Sequence, residues 1–434
     1  MSADGGRIRR LLPALAVAVV VRMAFHALFV PAFEGADEPQ HLARIRDFSE
    51  RPLAEAFAGR SVDAQIGESV AALPCGPRLH AAAGCPAYSE APGAFDLVRT
   101  LPPQAPARAM LAYPNVEANQ PPLAYFAAGL LLRPFHLSPA AGLLAARLFA
   151  VALVGIALFG PLRLLARRWP PALAAAGLLA LLLPGASEGL ARCSNDAAVF
   201  LWASLVLAAL ARPTRAGVLV ALLAAGPLIK LTAIPIVVFA VVVCARERTL
   251  RVAAGGAAAS LLVFPVQALR GWLWGGTLEL NAAGGAIAEP FLRAAAGFAR
   301  SIYAFVKTTL WVGGGSLIRP PRWLAVAYLA WLGAAAWALR RRPDPRRAFA
   351  HAAAFAAAAA GFTVFALANR RYYGVWGGVG GWYAWGWSPW IAEALADLAA
   401  APRARARALL WGEAAVVAAA NAAWLAAHVP FYGW

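Results

Sequence analysis

The largely apolar run 11–30, introduced by Arg7, Arg9 and Arg10, sets the terms on which this chain can fold. About 20 apolar residues match the hydrocarbon core of a bilayer, and a backbone placed there must satisfy its own polar groups, so the run is a helix. Further apolar runs follow at 140–165, 171–190, 196–211, 216–230, 232–245, 252–270, 322–339, 348–368, 388–401 and 408–428. Between them stand arginine clusters: Arg163/Arg167/Arg168, Arg212/Arg215, Arg246/Arg248/Arg251, Arg340–Arg342 with Arg346/Arg347, and Arg403/Arg405/Arg407. The pattern predicts an all-α polytopic membrane protein. With 61% hydrophobic and 14% charged residues, the chain lacks the charge a soluble surface carries. A net charge of +18 would by itself suggest nucleic acid, but these arginines sit in short loops, the positive-inside pattern, and form no single basic face. Nucleic acid is therefore not an expected partner.

Sidedness follows from the clusters. All of them fall on the cytoplasmic side only if the segment 121–134 does not cross. That segment, within NQPPLAYFAAGLLLRPF (119–135), is short and opens on prolines, so it is expected to be interfacial or re-entrant. The result is about eleven spans, with the N-terminus in the cytoplasm and the C-terminus outside. The first run is expected to stay uncleaved, because no small-residue cleavage site follows it. Arginine in place of lysine and abundant alanine fit a GC-rich bacterial coding bias, and hence a bacterial inner membrane. One transmembrane domain would span 1–434, with a long first extracytoplasmic loop at 31–135 and others at 271–321 and 369–387. Within the first loop, 40–58 is partly amphipathic and broken at Pro52, which predicts short helices lying on the membrane surface. Cys75 and Cys85 share this loop, so a disulfide is expected in an oxidising compartment. Cys193 and Cys244 end apolar runs.

The chemistry-capable residues gather on the outer side. FEGADEPQH (33–41) places Asp37 and Glu38 at the mouth of the first span, with His41 one turn further on. Only two lysines exist: Lys230 between two apolar runs and Lys307 in SIYAFVKTTLW. An ammonium so placed is a functional candidate, with a structural ion pair as the competing reading. Arg22 lies inside the first span with His26 on its face, and Arg192 lies near Glu188 and Asp196 in the turn 187–196. Asn195 and Asp196 are expected to cap the span that follows them. The aromatic stretch 372–390, including Trp382, is expected to form an interfacial belt, with stacking on a sugar as the alternative; its glycines would permit a mobile loop. WVGGGS (311–316) is no phosphate loop, having neither strand nor Lys-Ser/Thr ending.

Four short stretches carry a resemblance: ADEPQH (36–41), NQPPLAYF (119–126) with its Tyr125, SNDAAVF (194–200) and LIKLTAIP (228–235). In this order and sidedness the chain resembles the GT-C superfamily of membrane glycosyltransferases. It looks closest to an uncharacterised bacterial branch and more distantly like aminoarabinose and protein-mannosyl transferases. The resemblance implies a GT-C fold and inverting transfer of a sugar from a polyprenyl-phosphate donor to an envelope glycan, lipid or protein on the extracytoplasmic face. Asp37 would be the general base, with Glu38 as helper. Lys230, Lys307, Arg192, His41, Arg22, Tyr125 and Trp382 would line the substrate site. Where relatives carry a G-R-Y segment this chain has GGWYAWGWSPW (380–390), so Arg370 and Arg371 are the stand-ins for a late arginine. The cofactor is left open; a divalent cation such as Mg or Mn would fall to Asp37, Glu38 and His41. A lipid or polysaccharide transporter, or flippase, is the alternative, although the internal repeats such proteins show are not seen here. A GT-C-like scaffold without activity is the third reading.

Overall fold

A computed structural model describes residues 3–30, 32–33, 37–58, 62, 64–71, 117, 120–247, 249–274, 291–311, 320–339, 344–373, 380–398 and 403–432. The helices are α1 (Ala3–Phe29), α2 (Glu38–Glu50), α3 (Leu53–Ala58), α4 (Ala64–Ala71), α5 (Leu123–Leu132), α6 (Pro139–Phe159) and α7 (Pro161–Ala166). Then come α8 (Pro171–Ala180), α9 (Pro184–Leu190), α10 (Asp196–Leu210), α11 (Ala216–Ile229), α12 (Ile234–Glu247), α13 (Leu250–Ser260) and α14 (Val263–Trp274). The chain closes with α15 (Phe291–Leu310), α16 (Arg322–Leu339), α17 (Pro345–Tyr373), α18 (Tyr383–Leu398) and α19 (Arg403–Tyr432). No strand occurs among the described residues.

Among the described residues, five stretches are long and apolar enough to cross a bilayer: Gly5–Phe29, Pro139–Ala166, Leu250–Leu269, Pro345–Ala368 and Ala408–His428. Their outward residues, among them Val21, Phe29, Leu261, Phe264, Phe355 and Val364, are large and exposed. That is a surface built for lipid, and the protein is an all-α membrane protein. The run 171–190 departs from the single expected span. Pro184 cannot continue a helix, and α8 and α9 meet at 73° around the break. Helix α5, ten residues continued by a 3-10 turn to Phe135, is about 20 Å long, less than the hydrocarbon thickness.

Arg9, Arg167, Arg168 and Arg347 lie at one end of the bundle, where Arg347 and Trp169 share Glu393. Arg9 donates to the Arg167 carbonyl (3.3 Å), Arg168 to that of Ala211 (3.0 Å), and Arg347 pairs with Glu247 (2.7 Å). At the other end lies a second, smaller core of Phe33, Leu42, Ile45, Phe48, Tyr125 and Leu143. It tucks α2 beneath the chain instead of leaving it on the membrane surface as expected: ten of its thirteen residues are buried. The reason is local. A Cβ on Gly129 would stand 2.5 Å from that of Phe48, so the glycine lets α5 cross α2 at close range. Arg44 lies over the Phe48 ring (4.6 Å) and Phe57 and Phe126 meet its edge, so a polar helix is fully packed.

Candidate functional site

The mouth of α1 is held by a residue that sequence reasoning missed. Arg147, midway along α6, grips both oxygens of Glu38 (2.6 and 2.8 Å) and donates to the Val30 carbonyl (2.7 Å) beyond the last turn of α1. Glu38 also accepts from the Cys193 N–H (3.0 Å). The end of α1 and the start of α2 are thereby stapled together. The signal was present, since a charge inside an apolar run is a functional candidate by default. Glu38 is thus an anchor between α1, α2 and α6.

Asp37 is the hinge between the stapled elements. Its backbone is left-handed (φ 61°, ψ 10°), a conformation unusual for a residue with a side chain. Its carbonyl accepts the His41 N–H (2.9 Å), but its carboxylate makes no cap bond to α2. The carboxylate points elsewhere. Ligand atoms of Asp37, His41 and Glu117 all lie within 4.8 Å of one another, and all three residues are buried. Glu117 takes the hydroxyl proton of Tyr125 (2.7 Å), and the same hydroxyl lies 2.8 Å from His41 Nδ1. With the Tyr125 proton given to Glu117, His41 Nδ1–H is the donor and Nε2 keeps its lone pair. Helix α5 can place Tyr125 here because Gly129, one turn on, admits the close crossing with α2.

Cations face this trio. Asp196 at the start of α10 pairs with Lys230 (2.5 Å) and with Arg192 (3.0 Å). Lys230 arrives because Gly226 lets α11 lie against the Trp202 ring; a Cβ there would be 2.2 Å from it. The Tyr383 ring covers Lys230 (4.4 Å) and the Trp382 ring covers Arg192 (5.1 Å), close-range cation–π contacts in a dry setting. The expectation that Asn195 and Asp196 cap α10 is corrected. No side-chain cap forms, since Asn195 donates to the Ile229 carbonyl (3.3 Å) and Asp196 serves as counter-ion. The aromatic stretch is no interfacial belt in its described part. Trp385 and Trp390 are buried, and Trp387 donates to the Thr232 carbonyl (2.6 Å).

Three carboxylates, Asp37, Glu117 and Asp196, and two cations therefore share one buried cluster. Burial raises Asp37, which the fields of Arg192 and Lys230 oppose. Glu117 is pushed up to about 7 by burial and by the neighbouring Asp37 charge. Burial holds His41 well below its ordinary value, reinforced by Arg192 and Lys230, so it is neutral near pH 7. Two carboxylates with a neutral imidazole make a donor set for a divalent cation, and the histidine suits Mn or Zn better than Mg.

The remaining expected residues are placed as follows. Arg22 lies over the Trp424 ring (4.8 Å), whose indole donates to Glu188 (3.1 Å), a separate cluster within the spans. Lys307 is half-buried on α15, next to Thr308, whose hydroxyl accepts the Gly381 N–H (2.7 Å), so it adjoins the Trp382 segment. Gly381 is not free to move there: a Cβ would stand 2.0 Å from the Phe305 carbonyl. The side chain of Arg371, the glycines 374–378 and the Cys75/Cys85 pair lie outside the described residues. Cys193 and Cys244 are buried. Glu117 gave no sequence signal, standing alone in a polar loop. Compared with protein-family models, with characterised proteins and with solved structures, the chain matches none.

Proposed function

We propose that the protein is a membrane glycosyltransferase of GT-C type with about eleven spans, using a polyprenyl-phosphate sugar at the face that carries Asp37. One observation carries the reading: a buried carboxylate on a left-handed backbone sits in the field of two buried cations, each covered by an aromatic ring. Strain of about 1–3 kcal/mol persists where a function requires it.

In this reading the acceptor hydroxyl gives its proton to the Asp37 carboxylate as its oxygen forms a bond to the sugar's anomeric carbon. The bond from that carbon to the phosphate oxygen breaks on the opposite face, and the phosphate leaves with the electron pair. Attack opposite the leaving group inverts the anomeric centre. Burial makes Asp37 more basic than a surface carboxylate, as a base requires, while the cations keep it ionised. Arg192 and Lys230 are preset for the charge that grows on the phosphate, with Asp196 holding them together beforehand. Glu117, within ligand distance of Asp37 and with its proton affinity raised beside it, takes the proton from Asp37 and releases it to water when the products leave. A divalent cation held by Asp37, His41 and Glu117 would supply further positive charge.

Asp37→Asn tests the reading in purified protein given a polyprenyl-phosphate sugar. Transfer is expected to fall by about 10²–10⁴-fold. Full transfer by that variant would remove Asp37 as the base.

A further inference from the structure

At the end of the bundle away from Asp37 the helices do not close. A cavity of about 740 Å³ opens among α1, α7, α8, α16, α18 and α19. Protein interiors are packed so that voids larger than a water molecule are few. This one is far larger, within the range of ligand pockets. Its walls are apolar, with Leu12, Ala174, Gly177 and Ala392 along the sides. Its inner end is closed by Trp385, whose indole donates to the Thr309 carbonyl (3.2 Å). The lining carboxylate, Glu413, is met by the indole N–H of Trp331.

The mouth is different. Arg9, Arg163 and Arg167 line it, and all three are exposed. Arg9 donates to the Arg167 carbonyl, which draws the N-terminal turn of α1 to the rim. Two helices set the distance of this rim from the Asp37 site. From Arg9 to Phe29, where α1 ends on the side of Asp37, runs about 30 Å of helix. Arg147, which grips Glu38, precedes Arg163 by the second half of α6 and the start of α7. The rim therefore belongs to the other leaflet.

A largely apolar chamber among membrane-spanning helices, lined at its mouth by three guanidinium groups, fits an acyl chain with an anionic headgroup. We propose that it binds a single acidic phospholipid of the leaflet opposite Asp37, with acyl chain in the chamber and phosphate on Arg9, Arg163 and Arg167. The charge complementarity favours an anionic headgroup over a zwitterionic one, by about 1 kcal/mol per basic residue at a membrane surface. The site is distinct from the proposed donor site, and the inference does not rest on the glycosyltransferase reading. The bound lipid would act as a wedge completing the contact of α1 with α8 and α18.

The test uses the full-length protein, delipidated in mild detergent and offered phosphatidylglycerol, phosphatidylcholine or undecaprenyl phosphate, with retained lipid counted by native mass spectrometry. One phosphatidylglycerol per protein is expected, retained on the order of tenfold or more over phosphatidylcholine. The rim variant R9Q/R163Q/R167Q, changed only at exposed positions, should abolish that preference. Gly177→Phe should displace lipid of either headgroup; a Cβ at Gly177 meets only Ala392 Cβ, at 4.0 Å, so the new ring enters the chamber. Equal retention of both phospholipids, or retention untouched by the rim variant, overturns the proposal. So does a preference for undecaprenyl phosphate at this rim. Asp37→Asn should leave the retained phospholipid unchanged, so failure here and failure of the catalytic reading are told apart.

Discussion

Helices α12 and α18 run between two polar clusters, one at each end, and the contrast between those clusters separates function from support. At one end Lys230 and Tyr383 belong to the Asp37 site. At the other, Arg347 joins Glu247, Glu393 and Asp397, and Asp397 also meets His351 (2.9 Å). The residue types are nearly the same and the surroundings are not. In the Asp196–Lys230–Arg192 group side-chain exposure is 1–4%, whereas Arg347, Glu247 and Asp397 are 17–33% exposed. Fully buried charges lose hydration that their mutual attraction scarcely offsets, so apolar residues of the same volume would serve stability as well. Half-solvated pairs cost little and contribute little. The buried group is thus the one whose presence calls for a chemical reason.

The largest expected effect lies in the buried group. Asp196→Ala takes from Lys230 and Arg192 the one carboxylate seen to bond both, and leaves Asp37 and Glu117 as the nearby anions. Breaking a buried pair by removing one partner costs about 3–5 kcal/mol. Thermal unfolding of the purified variant should show a large drop in melting temperature. A drop no greater than that of a rim variant such as Asp397→Ala would mean that water reaches the cations, and the contrast between the two ends would fail.

Asp37→Asn should behave in the opposite way. It removes a buried negative charge beside Glu117 and Asp196, and Asn tolerates the left-handed backbone. The variant should melt at or above the wild-type temperature while transfer is lost. That pairing, activity down with stability level or up, marks a residue kept for chemistry. A variant several degrees less stable would instead make Asp37 a structural counter-ion.

The pH dependence sharpens the same point. Glu117 is raised from 4.5 to about 7, so between these values the folded protein binds the proton more tightly than the unfolded chain does. Its contribution is therefore fully present below about 4.5 and is lost as pH rises towards 7, at up to about 1.4 kcal/mol per pH unit. His41, held low, works the other way: its share is present above 6.5 and lost as pH falls. The diagnostic is accordingly a difference. Wild type minus Glu117→Gln should show stability declining from pH 5 to pH 7, measured by thermal unfolding across that range. A flat difference would place Glu117 in contact with bulk water.

What the sequence disclosed divides along physical lines. Helices at 11–29, 140–166 and 408–428 were legible because lipid imposes one long apolar signature on a span. The break at Pro184 was less so, since a bend of 73° leaves hydropathy unchanged. Asp37, His41, Lys230 and Arg192 were legible because charge next to a span is costly, and the structure brings all four together. Glu117 was not, because a lone acid in a polar loop carries no cost until the fold buries it. Asp196 was seen and misread: Asn-Asp before an apolar run has the appearance of a cap, and only tertiary contacts show which cations it faces.

The smallest effect is expected at the far end, and it tests the whole contrast. Asp397→Ala removes one partner of Arg347, but Glu247 still accepts from it at 2.7 and 3.2 Å and Glu393 remains within 3.5 Å. With Asp397 about a quarter exposed, the Arg347 share should be under about 1 kcal/mol, and the buried His351 ring, which loses its 2.9 Å partner, brings the total to about 1–2 kcal/mol. It should also shrink as salt is added, because ions screen half-solvated pairs and do not reach buried ones. The cost of Asp196→Ala, measured in the same titration, should hardly change. If salt moved both alike, the cations beside Asp37 would be open to solvent ions, and a water-excluded site for a departing phosphate would have to be abandoned.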